Sequence, residues 1–147
     1  MMINIRVRVN HLVKKYGTRD PEKLAKELSI IIKKVPFKSQ KTKGFFKKQF
    51  GKKFIVINSN LSEFLQKIVL AHELGHATLH VSKSSYYIHE FTLFPRGKYE
   101  NAANKFAAEI LINENDIDTY SLKTMSINEL SCYFGVPERL IMYKFFE

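Results

Sequence analysis

One stretch of the chain leaves few choices of fold. Over residues 68–79, Ile-Val-Leu-Ala-His-Glu-Leu-Gly-His-Ala-Thr-Leu, the only ionisable groups are His72, Glu73 and His76. A helix that is apolar on every side has to be surrounded by other elements. The imidazoles and carboxyl it carries inward cost free energy unless something binds them. The chain must therefore wrap a central helix and satisfy three polar groups in its middle. Asn60 followed by Glu63 at the third position reads as a capping box, so the helix is expected over residues 61–79.

Helical periodicity gives this motif its chemistry. His72 and His76 are four apart and share a face, so both imidazoles reach one ion at about 2.0–2.1 Å. Glu73 is rotated by about 100°, which sets it beside the metal, in position to take a proton from a metal-bound water. Gly75 lacks a side chain and leaves space for a neighbouring element. The donor set, two nitrogens and a carboxylate with no set of soft thiolates, suits one zinc ion per chain.

A catalytic site of this kind needs a third protein ligand and an open fourth position. The candidates are His80, His89, Glu90, Glu100 and Glu109. His80 lies eight residues past His72, a turn too far along the same helix, where it suits the negative dipole end. His89 and Glu90 fall in a connecting loop. Glu100 opens an amphipathic helix, 99–112, and is the preferred ligand. Ala103 and Ala107 share its face and let two helices pack closely, while Asn104, one turn on, can hydrogen-bond a ligand from behind. Glu109 lies about two and a half turns deeper.

The rest of the chain supplies an α+β frame. Residues 3–16 read as a first helix ended by Gly17, and Asp20-Pro21 caps a second over 21–28. Ile30 to Ile32, the Lys/Phe region and Phe54 to Ile57 read as strands of a small antiparallel sheet, with turns near Lys43-Gly44 and Gly51-Lys52. Residues 81–98 read as a loop with short strands at 86–88 and 91–94. Asn113 caps a short turn of helix. Ser126 with Glu129 is a second capping box, broken by Gly135, and Pro137 opens the last helix, giving a helical hairpin over about 126–146. At 147 residues the chain suits a single domain, 1–147.

Charge divides the sequence. Residues 1–70 hold 17 Lys and Arg against 4 Asp and Glu, and residues 71–147 hold 7 against 10. Residues 33–53 contain nine lysines and no acid, interleaved with Phe37, Phe45, Phe46 and Phe50. Such a stretch can make nonspecific contact with nucleic acid or an acidic partner. The plainer reading is a set of strands with one wet face, whose lysines deter edge pairing. No apolar run approaches the roughly 20 residues of a membrane span, and the N-terminal residues lack a secretory signal's apolar stretch. Cys132 is the only cysteine, so no intrachain disulfide forms. A cytoplasmic location is expected, without membrane association.

The segment Val69-Leu70-Ala71-His72-Glu73-Leu74-Gly75-His76-Ala77-Thr78-Leu79-His80, followed by Glu100-x-x-Ala103-Asn104-x-Phe106-Ala107-Ala108-Glu109-Ile110-Leu111-Ile112, resembles the ImmA/IrrE family of metallopeptidases. The strand ending Ile55-Val56-Ile57-Asn58 and the N-terminal Leu24-Ala25-x-x-Leu28 fit as well, so the likeness covers about residues 4–115. The resemblance implies a mostly helical zincin-like domain with HExxH on a central helix. It implies a zinc-dependent endopeptidase with His72, His76 and Glu100 as ligands and Glu73 as base. It also implies a protein substrate, a helix-turn-helix transcriptional repressor of a mobile element. Two positions depart from the family pattern: Asn113-Glu114 stands where many members have proline, and Ala102 where many have an acid or glutamine. Neither is a proposed ligand.

Two other function classes compete. Residues 129–140 have the outline of a helix-turn-helix. A recognition helix usually begins with Arg, Lys, Asn or Gln, whereas this one offers Glu138, Arg139 and then Leu140, Ile141, Met142 and Tyr143, a core-packing series. A catalytically silent metal-binding regulator or toxin–antitoxin component would be free to lose Glu73, which is retained. Cys132 on its helix reads as a small buried side chain. Tyr86, Tyr87, His89 and Tyr99 are candidate transition-state electrophiles, with no basis in the sequence for choosing among them.

Overall fold

The computed structural model describes residues 4–39, 42–79 and 97–146, and the backbone of residues 85–89. The described elements are helices α1 (Ile5–Tyr16), α2 (Pro21–Glu27), α3 (Glu63–Leu79), α4 (Lys98–Leu111), α5 (Thr119–Thr124), α6 (Ile127–Phe134) and α7 (Glu138–Phe145), a single 3-10 turn at Glu114–Asp116, and strands β1 (Ile30–Val35), β2 (Thr42–Gln49), β3 (Lys52–Asn58) and β4 (Ser85–His89). This is the expected α+β arrangement around a central motif-bearing helix.

Local chemistry accounts for most boundaries. Asn4 caps α1, and Gly17 ends it at φ 70°. Asp20 caps α2, with Pro21 at the first helical position. Asn113 caps the 3-10 turn. Ser126 and Glu129 form the reciprocal capping box of α6, which ends on Gly135 at φ 67°. The α3 cap differs from expectation. Ser62 Oγ accepts the Leu65 amide at 3.2 Å, so the helix starts at Glu63, while Asn60 instead donates to the Phe37 carbonyl. Helix α5 was not foreseen; it is a six-residue helix capped by Asp118.

The sheet has the order β1-β3-β2-β4. Strands β2 and β3 form an antiparallel hairpin across Phe50 and Gly51, both with positive φ, as a two-residue primed turn requires. Strand β4 pairs antiparallel with β2. Strand β1, however, runs parallel to β3, so the sheet is mixed and not wholly antiparallel. The chain between β1 and β3 is occupied by β2, which inserts on the far side of β3 and forces the parallel pair. The turn expected near Lys43-Gly44 is also absent, because Gly44 lies inside β2. A Cβ there would sit 2.8 Å from Val69 Cγ1 and 2.9 Å from the Val56 carbonyl oxygen, so the glycine lets α3 press onto the sheet.

Alternation along the strands sorts the lysine-rich segment. Phe46, Ile55 and Ile57 are buried on the face toward α3, while Phe45, Phe54 and Val56 are half-buried on the other. Lys33, Lys34, Lys38, Lys48 and Lys52 are exposed. The Lys/Phe pattern is thus that of strands with one wet face. Helix α3 lies between the sheet and α4, and α4 in turn packs against α1 and α7. One core joins Leu24, Phe46, Ile55, Leu74, Phe106, Ile110, Leu140 and Ile141.

Candidate metal centre

The apolar sequence of α3 has the expected consequence. Residues 68–77 are all buried, including His72, Glu73 and His76, each 1% exposed or less. Helix α4 crosses against it, and Gly75 makes the approach possible. A Cβ at that position would lie 3.0 Å from Ala103 Cα, 3.0 Å from Phe106 Cβ and 3.1 Å from the Ala103 carbonyl oxygen. Ala103 and Ala107 are fully buried in the same contact. Small residues on both helices therefore bring Glu100, in the first turn of α4, over the histidines of α3.

The three groups converge tightly. His72 Nε2 lies 3.0 Å from Glu100 Oε2, and His76 Nε2 lies 2.9 Å from Oε1 and 3.1 Å from Oε2. One donor atom from each of His72, His76 and Glu100 falls within 4.8 Å of the others. Donors held at about 2.0–2.1 Å from one tetrahedral ion stand roughly 3.3 Å apart, so the triad is a nearly closed version of such a site. On the far side of His72, Nδ1 lies 2.6 Å from Asn104 Oδ1. That leaves Nε2 facing the cluster, the arrangement in which a second-shell oxygen orients a metal-binding imidazole.

The two carboxylates respond differently to this setting. Burial pushes Glu100 up, but the hydrogen bonds and charge of His72 and His76 outweigh it and bring its carboxyl to about 2. Glu73 is held well above the usual carboxylate range, first by burial, then by the charge of Glu100, with the Phe46 backbone amide acting in the opposite sense. The Phe46 amide approaches without closing a hydrogen bond of normal geometry, and neither Glu73 oxygen makes one to any other described residue. A buried carboxyl left in this state beside two imidazoles and a second carboxylate fits a place made for a cation and a polar reactant.

The other candidates separate from this cluster. Glu109 is buried elsewhere on α4, where its oxygens face Lys144 Nζ at 2.5 Å and Lys105 Nζ at 3.0 Å, so it serves an ion-pair network and not the metal group. His80, Glu90 and the strand expected at 91–94 lie outside the described residues, and the side chains of Tyr86, Tyr87 and His89 are likewise not described. Tyr99 is 40% exposed at the start of α4, with Lys98 Nζ 6.0 Å from its ring centre. Cys132 is exposed on α6, contrary to its reading as a buried side chain. In the C-terminal hairpin, Leu140, Ile141 and Tyr143 of α7 are buried and α7 packs on α4, as the core-packing series of the sequence predicts. The sequence also gave no notice of Tyr143, whose hydroxyl contacts Asn104 and Asn101. Its partners stand 39 and 42 residues away, so no local spacing marks the contact.

Comparison with known proteins agrees with this architecture. The family model described as the IrrE N-terminal-like domain, a peptidase family, matches residues 25–146. The chain is 36% identical over 141 residues to uncharacterized immunity region protein 2 of Bacillus phage phi105, covering 95% of this chain and 88% of that protein. It is 27% identical over 143 residues to metallopeptidase ImmA of Bacillus subtilis strain 168, covering 95% and 83% respectively. With a helix-borne HExxH, a converging carboxylate and a family match over most of its length, the chain belongs to the ImmA/IrrE family of metallopeptidases.

Proposed function

We propose that this protein is a zinc-dependent endopeptidase that cuts a regulatory protein, a helix-turn-helix repressor of a phage-like immunity region. The observation that carries the reading is the convergence of His72, His76 and Glu100 from two helices beside the buried Glu73. His72, His76 and Glu100 are the ligands. They would hold a zinc ion, which when bound would supply Lewis acidity toward a peptide carbonyl and a water of lowered pKa. Glu73, buried beside them, would accept the proton of that water and return it to the leaving amine. Asn104 holds the His72 ring from behind. The substrate class is suggested by the two relatives, one an immunity-region protein and the other a metallopeptidase. With its single cysteine the protein is read as acting in a reducing cytoplasm.

The test is to purify the chain without chelator, measure its metal, and incubate it with the repressor encoded nearest its gene. One zinc per chain and cleavage at a few sites are expected. His72→Ala, His76→Ala and Glu100→Ala should each lower occupancy sharply. Full occupancy in Glu100→Ala would exclude it as a ligand.

A further inference from the structure

The two faces of the sheet are finished differently. Helices α2 and α3 cover the face that carries Ile30, Phe46, Ile55 and Ile57, all buried. Lysines on that side have partners: Lys34 Nζ meets Glu22 at 2.5 Å, and Lys53 Nζ donates to the Ala77 carbonyl at 3.3 Å. On the opposite face no described helix is packed. The strand register sets two rows there, Ile31–Phe54–Lys47 and Lys33–Val56–Phe45, each running from β1 through β3 to β2. A lysine stands at opposite ends of the two rows, with apolar residues between. Ile31 is 38% exposed, and Lys33, Lys47, Phe45, Phe54 and Val56 line a shallow depression of about 220 Å³. No ion pair among the described residues includes Lys33 or Lys47.

The hairpin joining β2 to β3 breaks the chemistry of its own turn. A two-residue turn with positive φ at both positions favours Asn-Gly or Asp-Gly. Here Phe50 takes the first position at φ 52° and is 91% exposed. A bulky residue in the left-handed region costs backbone energy, and a ring left in water returns no packing. A local rule broken without gain to the fold marks a residue that serves something outside it. We propose that the hairpin tip and the open sheet face form a docking surface for the protein substrate, with Phe50 as anchor and Lys33 and Lys47 pairing with acidic side chains around an apolar centre. The inference rests on the endopeptidase reading. Nucleic acid suits this face less well. A single strand is held by stacking its bases on exposed rings, whereas Phe45 and Phe54 are half-buried and the Phe45 ring centre lies 6.1 Å from that of Phe37. Aliphatic Ile31 and Val56 fill the spaces between. A protein surface with an apolar centre and acids around it meets both features. The Phe46 amide, between Phe45 and Lys47 on β2, approaches Glu73, so the docking surface adjoins the site but lies on the outer side of the sheet. The element that docks and the bond that is cut are then different parts of the substrate.

The test is affinity for the repressor encoded nearest the gene, measured by calorimetry in a Glu73→Gln background that prevents cleavage. Phe50→Asn gives the turn its preferred residue, so thermal stability should hold or rise while affinity falls roughly tenfold, as for an aromatic anchor. Lys33→Glu combined with Lys47→Glu should lower affinity about tenfold at about 50 mM salt and far less at about 500 mM. Lys14→Glu combined with Lys15→Glu reverses the same charge at exposed positions of α1 and should change affinity little. With Glu73 restored, Phe50→Asn should slow cleavage of the folded repressor and leave cleavage of a short peptide spanning the cut site unchanged. Wild-type affinity in both Phe50→Asn and the Lys33/Lys47 pair, an equal loss in the Lys14/Lys15 pair, or no binding of the repressor at all would overturn the proposal. So would a Lys33/Lys47 pair that keeps the repressor and loses a mixed-sequence single-stranded oligonucleotide, which would assign the face to nucleic acid. A repressor bound through this face yet left whole by the wild-type protein would refute the endopeptidase reading and leave the docking surface standing.

Discussion

Glu73 and Glu100 share one site and burial raises both, yet the contacts of Glu100 with His72 and His76 leave the two with opposite effects on stability in the metal-free protein. Glu100, depressed to about 2 from 4.5, favours folding above pH 4.5, and that contribution is lost as pH falls toward 2. Glu73 is raised, so the folded state holds its proton where the unfolded chain has released it. Its presence costs nothing below pH 4.5, and the cost grows as pH rises above that value. Glu73→Gln should therefore stabilise the metal-free protein at pH 7, on the order of 1–3 kcal/mol, and the gain should vanish near pH 4. Denaturant melts at the two pH values check this. The same variant should bind zinc normally and cut nothing, because an amide cannot accept the proton. On the proposed function, Glu73 is then a group that weakens its own fold, the usual relation between activity and stability.

At the level of elements, the α3–α4 contact sets the site, and Gly75 sets the contact. Gly75→Ala places a methyl against Ala103 backbone and Phe106, which the rigid crossing cannot relieve by rotating a side chain. About 1–3 kcal/mol of stability should be lost, with weaker zinc binding as Glu100 is carried away; thermal melts and chelator competition read both. The α4–α7 contact depends on a buried pair. Lys144 and Glu109 are 4% and 2% exposed, so Lys144→Met should cost about 3–5 kcal/mol, and adding Glu109→Leu should recover much of it. Chemical denaturation of the single and double variants is the measurement. These contacts also mark where the sequence stops being readable. Caps such as Asp20 and Ser126 act within three residues and could be read directly. The i, i+4 histidines and the small face of α4 were legible for the same reason. The parallel β1–β3 pair, the Glu109–Lys144 bridge and the Asn104–Tyr143 hydrogen bond join distant segments, and the local pattern is the same whichever way those segments meet.

Across the whole molecule, basic charge is concentrated on the sheet side. Over residues 28–62 there is no acidic residue. The described lysines in this region are mostly exposed, and lysines are point charges without the planar fork that reads base edges. Any binding of nucleic acid should be the same for unrelated sequences and weaken steeply between about 50 and 200 mM salt; a salt-resistant preference for one operator in a mobility-shift series would contradict this. The same surface suits docking of a protein partner, so substrate choice is expected to rest on more than the scissile bond. Casein should be a poor substrate beside the folded repressor, as gel assays of the two digests would show. No helix among the described residues is long and apolar enough to cross a membrane.

The 39 residues between Asn104 and Tyr143 also have a meaning in time. A ribosome adding about 5–20 residues per second takes roughly 2–8 s to cover that distance. During that interval a growing chain already contains both histidines, Glu73 and Glu100, but not the tyrosine whose hydroxyl accepts from Asn104. The packing of α4 against α7 is therefore the last part of the core to close, after the whole of α3 and α4 has been made.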